Sequence, residues 1–341
     1  MNYAIGVSPF SNAQGGPDSN GNFWSDSDNE ESINYEWIDI SEIGTLYSFP
    51  NNDDFGQELS LDFDFPFYGN NYNIIRINPN GWIGFASDND SWSNTPIPND
   101  DAPRPAVFAF WDDLNPLSGG GGCSDQGTGS VYYKHFSNKT VITYDEVAFC
   151  SGSDDGLYTF QIVLNSTGSV EINYNSMVGQ LSSATIGIQN GNGSIAQQVV
   201  YNNSYVQDGL KLVFDKTPSW ISLSGDLQGQ VLAGSNVNID YTVNTENLIE
   251  GEYKAYLSIV SNAGPTQIIP ISLNLENYTG SLGDVNDDGL VNVSDILVII
   301  SFILMNSSPS EYEIWASDLN SDGFIDVVDI IALVNNILGL F

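Results

Sequence analysis

A twelve-residue pattern occurs twice near the end of this chain. It reads Asp284-Val-Asn286-Asp-Asp288-Gly289-Leu290-Val-Asn292-Val-Ser-Asp295, and 34 residues later Asp318-Leu-Asn320-Ser-Asp322-Gly323-Phe324-Ile-Asp326-Val-Val-Asp329. Oxygen-bearing side chains fall at positions one, three, five, nine and twelve of both copies. A tight loop turns every second side chain inward, and an inward ring of oxygens suits a hard divalent cation, which takes six to eight such ligands. Position six must turn sharply, and Gly289 and Gly323 stand there because a Cβ disfavours the conformation. Position seven offers only its carbonyl, so apolar Leu290 and Phe324 are allowed. Asn292 and Asp326 at position nine can coordinate directly or through water. Asp295 and Asp329 close the sphere from the first turn of a following helix, and being shorter than the usual Glu they wrap the ion differently. Two Ca²⁺ ions are expected; merely solvated acidic turns are the bland alternative.

Apolar runs follow both loops, over Asp295–Met305 and Asp329–Leu338, and predict helices. Each is too short to span a bilayer, which needs about 20 apolar residues. The unit is therefore loop then helix, twice, and residues 278–341 resemble a type I dockerin. The resemblance implies calcium-dependent folding and docking onto a cohesin module of a scaffold or cell-surface protein. It also implies that loop positions ten and eleven, here Val293, Ser294, Val327 and Val328, choose the partner. Dockerins often carry Lys or Arg on these helices, whereas this chain has neither from Asp284 onward. Helices apolar on nearly every face suggest a contact built on apolar packing, with packing inside the protein as the alternative.

The chain has 341 residues with 43 acidic against seven basic side chains, a formal charge of −36. That balance argues against nucleic acid and anionic membranes as partners. It suits an extracellular protein, secreted or held at the cell surface through a partner, in a medium whose cations screen self-repulsion. Cys123 and Cys150 flank a hairpin pattern and are expected to form a disulfide, two buried thiols being the alternative. No signal sequence opens the chain, and the expectation is a fragment whose export signal lies elsewhere.

Residues 1–215 read as an aromatic-rich β-sandwich: short runs of Ile, Val, Tyr, Phe and Thr between Asn-Gly, Ser-Gly and Gly-Gly clusters. Predicted strands include Tyr35–Ile40, Leu59–Phe63, Ile74–Asn78, Trp82–Phe85, Ala106–Trp111, Ser130–His135, Thr140–Ala148, Tyr158–Leu164, Val170–Tyr174, Thr185–Gln189 and Lys211–Phe214. The phrases Phe65-Pro-Phe67-Tyr68-Gly69, Asn78-Pro-Asn80-Gly81-Trp82-Ile83-Gly84-Phe85 and Phe108-Ala-Phe110-Trp111-Asp112-Asp113-Leu114 carry a distant similarity to nidogen-like extracellular domains. That similarity implies adhesive or accessory roles, with a glycan or protein ligand left unnamed. Residues 216–277 alternate clearly, as in Val237–Val243 and Gly251–Ile259, and resemble immunoglobulin-like spacers of secreted bacterial proteins. The expected class is thus mainly β: a large β-sandwich, an immunoglobulin-like β-sandwich and a small C-terminal α-helical calcium-loop domain.

Candidates for catalysis are weak. Asp112 and Asp113 are adjacent, and neighbours on a strand face opposite ways. Metal or turn capping suits one of them better, with Asp113 the metal candidate. His135 is the only histidine, and one His with two bridged Cys does not make the four-ligand set that zinc requires. Asp18, Asn20, Asp26 and Asp28 crowd oxygens around Gly21 and Trp24, open to three readings: one further calcium, a polar turn or a saccharide subsite. Trp82 and Trp111 fall inside strand patterns and are expected in the core, whereas Trp92 sits in a polar loop and is expected to be exposed. The resulting expectation is a non-catalytic part of a secreted multidomain protein that docks through calcium. A cellulosome-type polysaccharide hydrolase component and the tail of a secreted protease are the alternatives.

Overall fold

The structure is a computed structural model describing residues 1–49, 56–85, 90–117, 127–150, 152–246, 248, 250–276 and 280–339, the side chains of 152–155 apart. The chain is mainly β with three short helices near its C-terminal end. It divides into two compact units, Met1–Asn247 with Tyr253–Leu273, and Leu248–Glu252 with Asn274–Phe341.

In chain order the strands begin with β1 (Asn2–Ser8), β2 (Asn22–Asp26), β3 (Thr45–Leu46), β4 (Glu58–Phe67), β5 (Asn70–Asn78), β6 (Trp82–Gly84), β7 (Ala106–Trp111) and β8 (Leu114–Asn115). They continue with β9 (Ser130–His135), β10 (Lys139–Phe149), β11 (Gly152–Asn165), β12 (Val170–Gly179), β13 (Thr185–Gln189), β14 (Ala196–Tyr201) and β15 (Leu210–Lys216). The last are β16 (Ile221–Gly225), β17 (Gln228–Gln230), β18 (Ile239–Val243), β19 (Gly251–Ser261) and β20 (Gln267–Leu275).

Two antiparallel sheets form the front sandwich. One runs β2-β15-β12-β11-β10-β9-β3, with β8 on β10, and the other β14-β13-β7-β6-β5-β4. The period-two rule assigns their inner faces: Tyr144 pairs with Phe160 and Phe160 with Tyr174, so all three rings point one way. They meet Phe65, Ile77, Ile83, Val107 and Phe110 of the other sheet in one core. The Tyr144 phenol donates to the Asn78 carbonyl at 2.6 Å and Tyr174 to the Ala109 carbonyl at 2.6 Å, tying the sheets together. A buried phenol needs such a partner, and burial holds both pKa values far above the ordinary tyrosine range.

The phrase around Asn80-Gly81 owes its composition to close packing. Asn80 Oδ1 accepts the Leu114 N–H at 2.8 Å, and the Gly81 carbonyl accepts the N–H groups of Ala109 and Phe110. Gly81 has φ +76°, and a Cβ there would lie 2.1 Å from the Phe110 carbonyl oxygen, so only glycine fits.

The strand expected over Tyr35–Ile40 is absent: this segment lies in no ladder among the described residues. It lies instead on the outer face of the β10–β11 sheet, where Ile40 packs on Val141 and Val163. The Gln161 side chain substitutes for a strand partner, accepting from the Ile38 N–H at 3.3 Å and donating to the Ile38 carbonyl at 2.5 Å. Cys123 lies outside the described residues, and with it the expected bridge to Cys150.

Residues 221–275 contribute a sheet ordered β17-β1-β19-β20 and a two-stranded sheet β16-β18. The first of these takes β1, from the opposite end of the chain, as an inner strand.

Three helices make up the C-terminal unit: α1 (Val293–Ile303), α2 (Glu311–Ser317) and α3 (Val327–Ile337). Each opens with a capping box, Asn292 with Asp295, Ser310 with Glu313, and Asp326 with Asp329, which satisfies amide donors that the first turn leaves orphaned. Val285, Ile299, Ala316 and Leu333 form the buried centre of this unit. α2 was not foreseen, although Ser310-x-x-Glu313 is its signature in the sequence.

Candidate metal centre and docking face

The two acidic loops adopt one geometry. Asp287 and Ser321 at position four have φ +53° and +58°, and Gly289 and Gly323 at position six have +83° and +82°. In the first loop Asp284 accepts the N–H groups of Asp288 at 3.1 Å and Gly289 at 2.8 Å. Asn286 Nδ2 donates to Asp288 Oδ2 at 3.1 Å. Asp295 accepts from Val285 at 2.8 Å, Asn286 at 3.1 Å and Asn292 at 2.8 Å.

The second loop repeats this circuit. Asp318 accepts from Asp322 at 3.1 Å and Gly323 at 2.9 Å, and Asn320 Nδ2 donates to Asp322 Oδ2 at 2.9 Å. Asp329 accepts from Leu319 at 3.0 Å, Asn320 at 3.4 Å and Asp326 at 2.9 Å. Positions one, three, five, nine and twelve are therefore linked within each loop. Leu290 and Phe324 at position seven turn their side chains out, being 65% and 73% exposed.

The donor set fits a hard cation. Asp284, Asp295 and Asp329 are nearly or fully buried, and buried carboxylates require compensation. Residues 282–338 carry ten acidic and no basic side chains, so amide donors alone face these charges. The loops thus combine a turned backbone with hard oxygen donors whose negative charge is met by backbone amides and by no basic side chain of residues 282–338.

Beside the loops, each helix exposes the same apolar positions. Val293, Leu297 and Leu304 on or just after α1 match Val327, Ile331 and Leu338 on or just after α3, all between 55% and 64% exposed. Ser294 and Val328, both at loop position eleven, are exposed as well. The 34-residue offset of the loops relates Leu297 to Ile331 and Leu304 to Leu338, exposed apolar positions that the sequence reading does not single out.

The other candidates lie in the front sandwich. Asp18 accepts from the Asn20 and Asn22 N–H groups and the Asn22 amide, as in a polar turn. Asp26 accepts from the Asp28 and Asn29 N–H groups and from the Tyr205 hydroxyl, and Asp28 from Gln207. Asn20 is exposed at the turn. No cluster of three or more His, Cys, Asp or Glu gathered closely enough to hold a metal occurs among the described residues, the two C-terminal loops included, where Asn side chains and a backbone carbonyl make up part of each expected ligand ring. Asp112 accepts the Ser183 hydroxyl at 2.5 Å and the Asp113 N–H at 3.0 Å, while Asp113 is half-buried and its carbonyl accepts the Cys150 N–H. His135 Nδ1 is 2.9 Å from the Thr140 hydroxyl. Trp82 and Trp111 are fully buried, and both indole N–H groups donate to the Ser91 carbonyl, whereas Trp92 is 51% exposed.

Fold and site together define a mainly β protein that carries a paired acidic-loop helical module. The chain belongs to the NIDO-related family, which it matches over residues 29–211, and residues 282–338 match the dockerin type I domain. No curated protein and no solved structure matches it. A dockerin type I domain binds calcium and docks onto a cohesin, as one module of a multidomain protein. Neither matched domain is a catalytic one. Proteins that contain a dockerin are typically extracellular, and no described helix is long and apolar enough to cross a membrane.

Proposed function

We propose that this chain is a non-catalytic, secreted component that attaches to a cohesin through residues 278–341, holding two calcium ions. Asp284, Asn286, Asp288, the Leu290 carbonyl, Asn292 and Asp295 hold one, and Asp318, Asn320, Asp322, the Phe324 carbonyl, Asp326 and Asp329 the other. Val293, Ser294, Val327 and Val328 contact the cohesin, which covers the apolar helix surface. Residues 1–215 serve adhesion or ligand binding, with Trp92 the exposed ring available to a saccharide or protein, and residues 216–277 act as spacer. The observation that carries this reading is the repetition of one hydrogen-bond circuit in both loops, each beside a matching apolar helix face.

Calcium binding and folding are coupled in such a module, since the ligands must converge before the ion is held. Replacing Asp284 and Asp318 together by Ala is expected to weaken binding to a panel of type I cohesins, in millimolar calcium, by more than about a hundredfold. Undiminished binding by calorimetry would refute the dependence on the loops.

A further inference from the structure

The strand β1 is held between two partners that follow it by more than 200 residues. Asn2, Tyr3 and Ala4 lie opposite Gln230, Gly229 and Gln228, and Tyr3 to Ser8 lie opposite Ser261 to Tyr256, both antiparallel. The Ile5 N–H donates to the Leu227 carbonyl at 2.7 Å, the Val231 N–H to the Met1 carbonyl at 2.8 Å, and the Asn262 N–H to the Asn2 carbonyl at 3.2 Å. The Tyr3 hydroxyl reaches the Asp226 carbonyl at 2.7 Å. Side chains alternate as the pleat demands: Tyr3 and Val7 are 8% and 7% exposed, Ala4 and Gly6 lie outward.

The connectivity makes this strand a graft. After Ser8, whose hydroxyl bonds the Phe10 backbone, the chain enters the front sandwich, where Phe10 packs with Phe23, Ile33 and Val213. It returns only at Lys216, the end of β15. The front sandwich is thus inserted between the first and second strands of the module that follows it. Without β1, the three-residue β17 has no ladder to β19, and β19–β20 and β16–β18 each remain two-stranded. Two-stranded pieces of this kind are marginal in water.

We propose that Gln228–Gln230 of β17 and Tyr256–Ser261 of β19 form an acceptor groove for an extended, uncharged seven-residue strand with aromatic or β-branched side chains at alternate positions, which Asn2–Ser8 fills in cis. Backbone pairing on both sides supplies the affinity and the inward positions supply the selection. The residues of β17 and β19 opposite β1 carry no charged side chain, and the acidic chain as a whole disfavours an acidic strand.

The test uses the full chain. Ile5→Pro removes the donor to Leu227, and Val7→Asp places a carboxylate at a buried inward position. Amide exchange at residues 256–261 is expected to speed up by at least about tenfold in either variant while exchange in β10–β12 stays unchanged. A synthetic Asn2–Ser8 peptide at millimolar concentration should restore the protection, and a scrambled one should not. A protease site placed at Pro9, cut after folding and followed by removal of the freed strand in mild denaturant and dialysis, gives the same readout without requiring a variant strand to fold. Unchanged exchange at 256–261 would overturn the proposal, as would equal loss in β10–β12 or failure of the peptide to restore protection.

Discussion

Glu30 illustrates how single side chains hold the front sandwich. It is 2% exposed, and burial alone would raise its pKa. Hydrogen bonds from the Asn12 N–H, the Ser32 hydroxyl, the Ser11 hydroxyl and the Ser32 N–H outweigh that and hold it below the usual glutamate value. The folded state therefore binds this proton less readily than the unfolded one, so the contribution is complete above the ordinary carboxylate range and is lost as pH falls through the depressed pKa. Glu30→Ala is expected to destabilise the front sandwich by about 1–3 kcal/mol at neutral pH, since it orphans several donors. The difference from wild type should shrink in acid, as urea denaturation at both pH values would measure. Asp112 is the opposite case: burial raises its pKa despite the Ser183 and Asp113 hydrogen bonds, so its charge costs stability as pH rises through that raised value. In the sequence Asp112 and Asp113 read as neighbours on a strand, whereas they lie between β7 and β8, and nothing there gives a sign of Ser183, which is 71 residues away.

Local pattern served the secondary structure well wherever it coincided with backbone pairing. The runs in β10, β11 and β12 lie where expected, β9 and β10 pair as the expected hairpin, and the helices after both loops lie where the apolar runs place them. Tyr35–Ile40 is as rich in aromatic and β-branched residues, yet its backbone is bound by the Gln161 side chain, a long-range contact that no local periodicity encodes. Gln161→Ala is expected to leave the Ile38 N–H and carbonyl without these partners, costing about 1–3 kcal/mol and raising amide exchange at Ile38 while β12 is unaffected. Retained protection at Ile38 would show that apolar packing of Ile40 suffices. β14 escaped notice because Gln197 and Gln198 interrupt its apolar pattern, and Gln197 is buried to donate to the Asn22 carbonyl at 3.0 Å. β1 was invisible for a different reason: its partners are supplied by the far end of the sequence.

Over the full chain, charge sets the response to solvent. With −36 formal charge, self-repulsion opposes every compact unit, and monovalent salt screens it as the Debye length falls from about 30 Å at 0.01 M to about 3 Å at 1 M. Chelation acts differently, because screening cannot replace ligands bound to a divalent ion. Adding chelator at constant ionic strength is expected to abolish the helical circular dichroism of residues 293–337 while exchange protection in β10–β12 persists. Helical signal that survives the chelator would count against the calcium assignment.

The placement of β1 also bears on where this polypeptide can be cut. A boundary drawn at residue 215 separates Asn2–Ser8 from both of its neighbours and leaves Tyr3, Ile5 and Val7 on a strand with two bare edges. The same cut strips the downstream piece of an inner strand, so the two products would each expose a sticky β-edge of the kind that promotes aggregation. Module exchange in this architecture therefore needs paired cuts, one after Ser8 and one near Lys216, so that the sandwich is lifted out while its host stays whole.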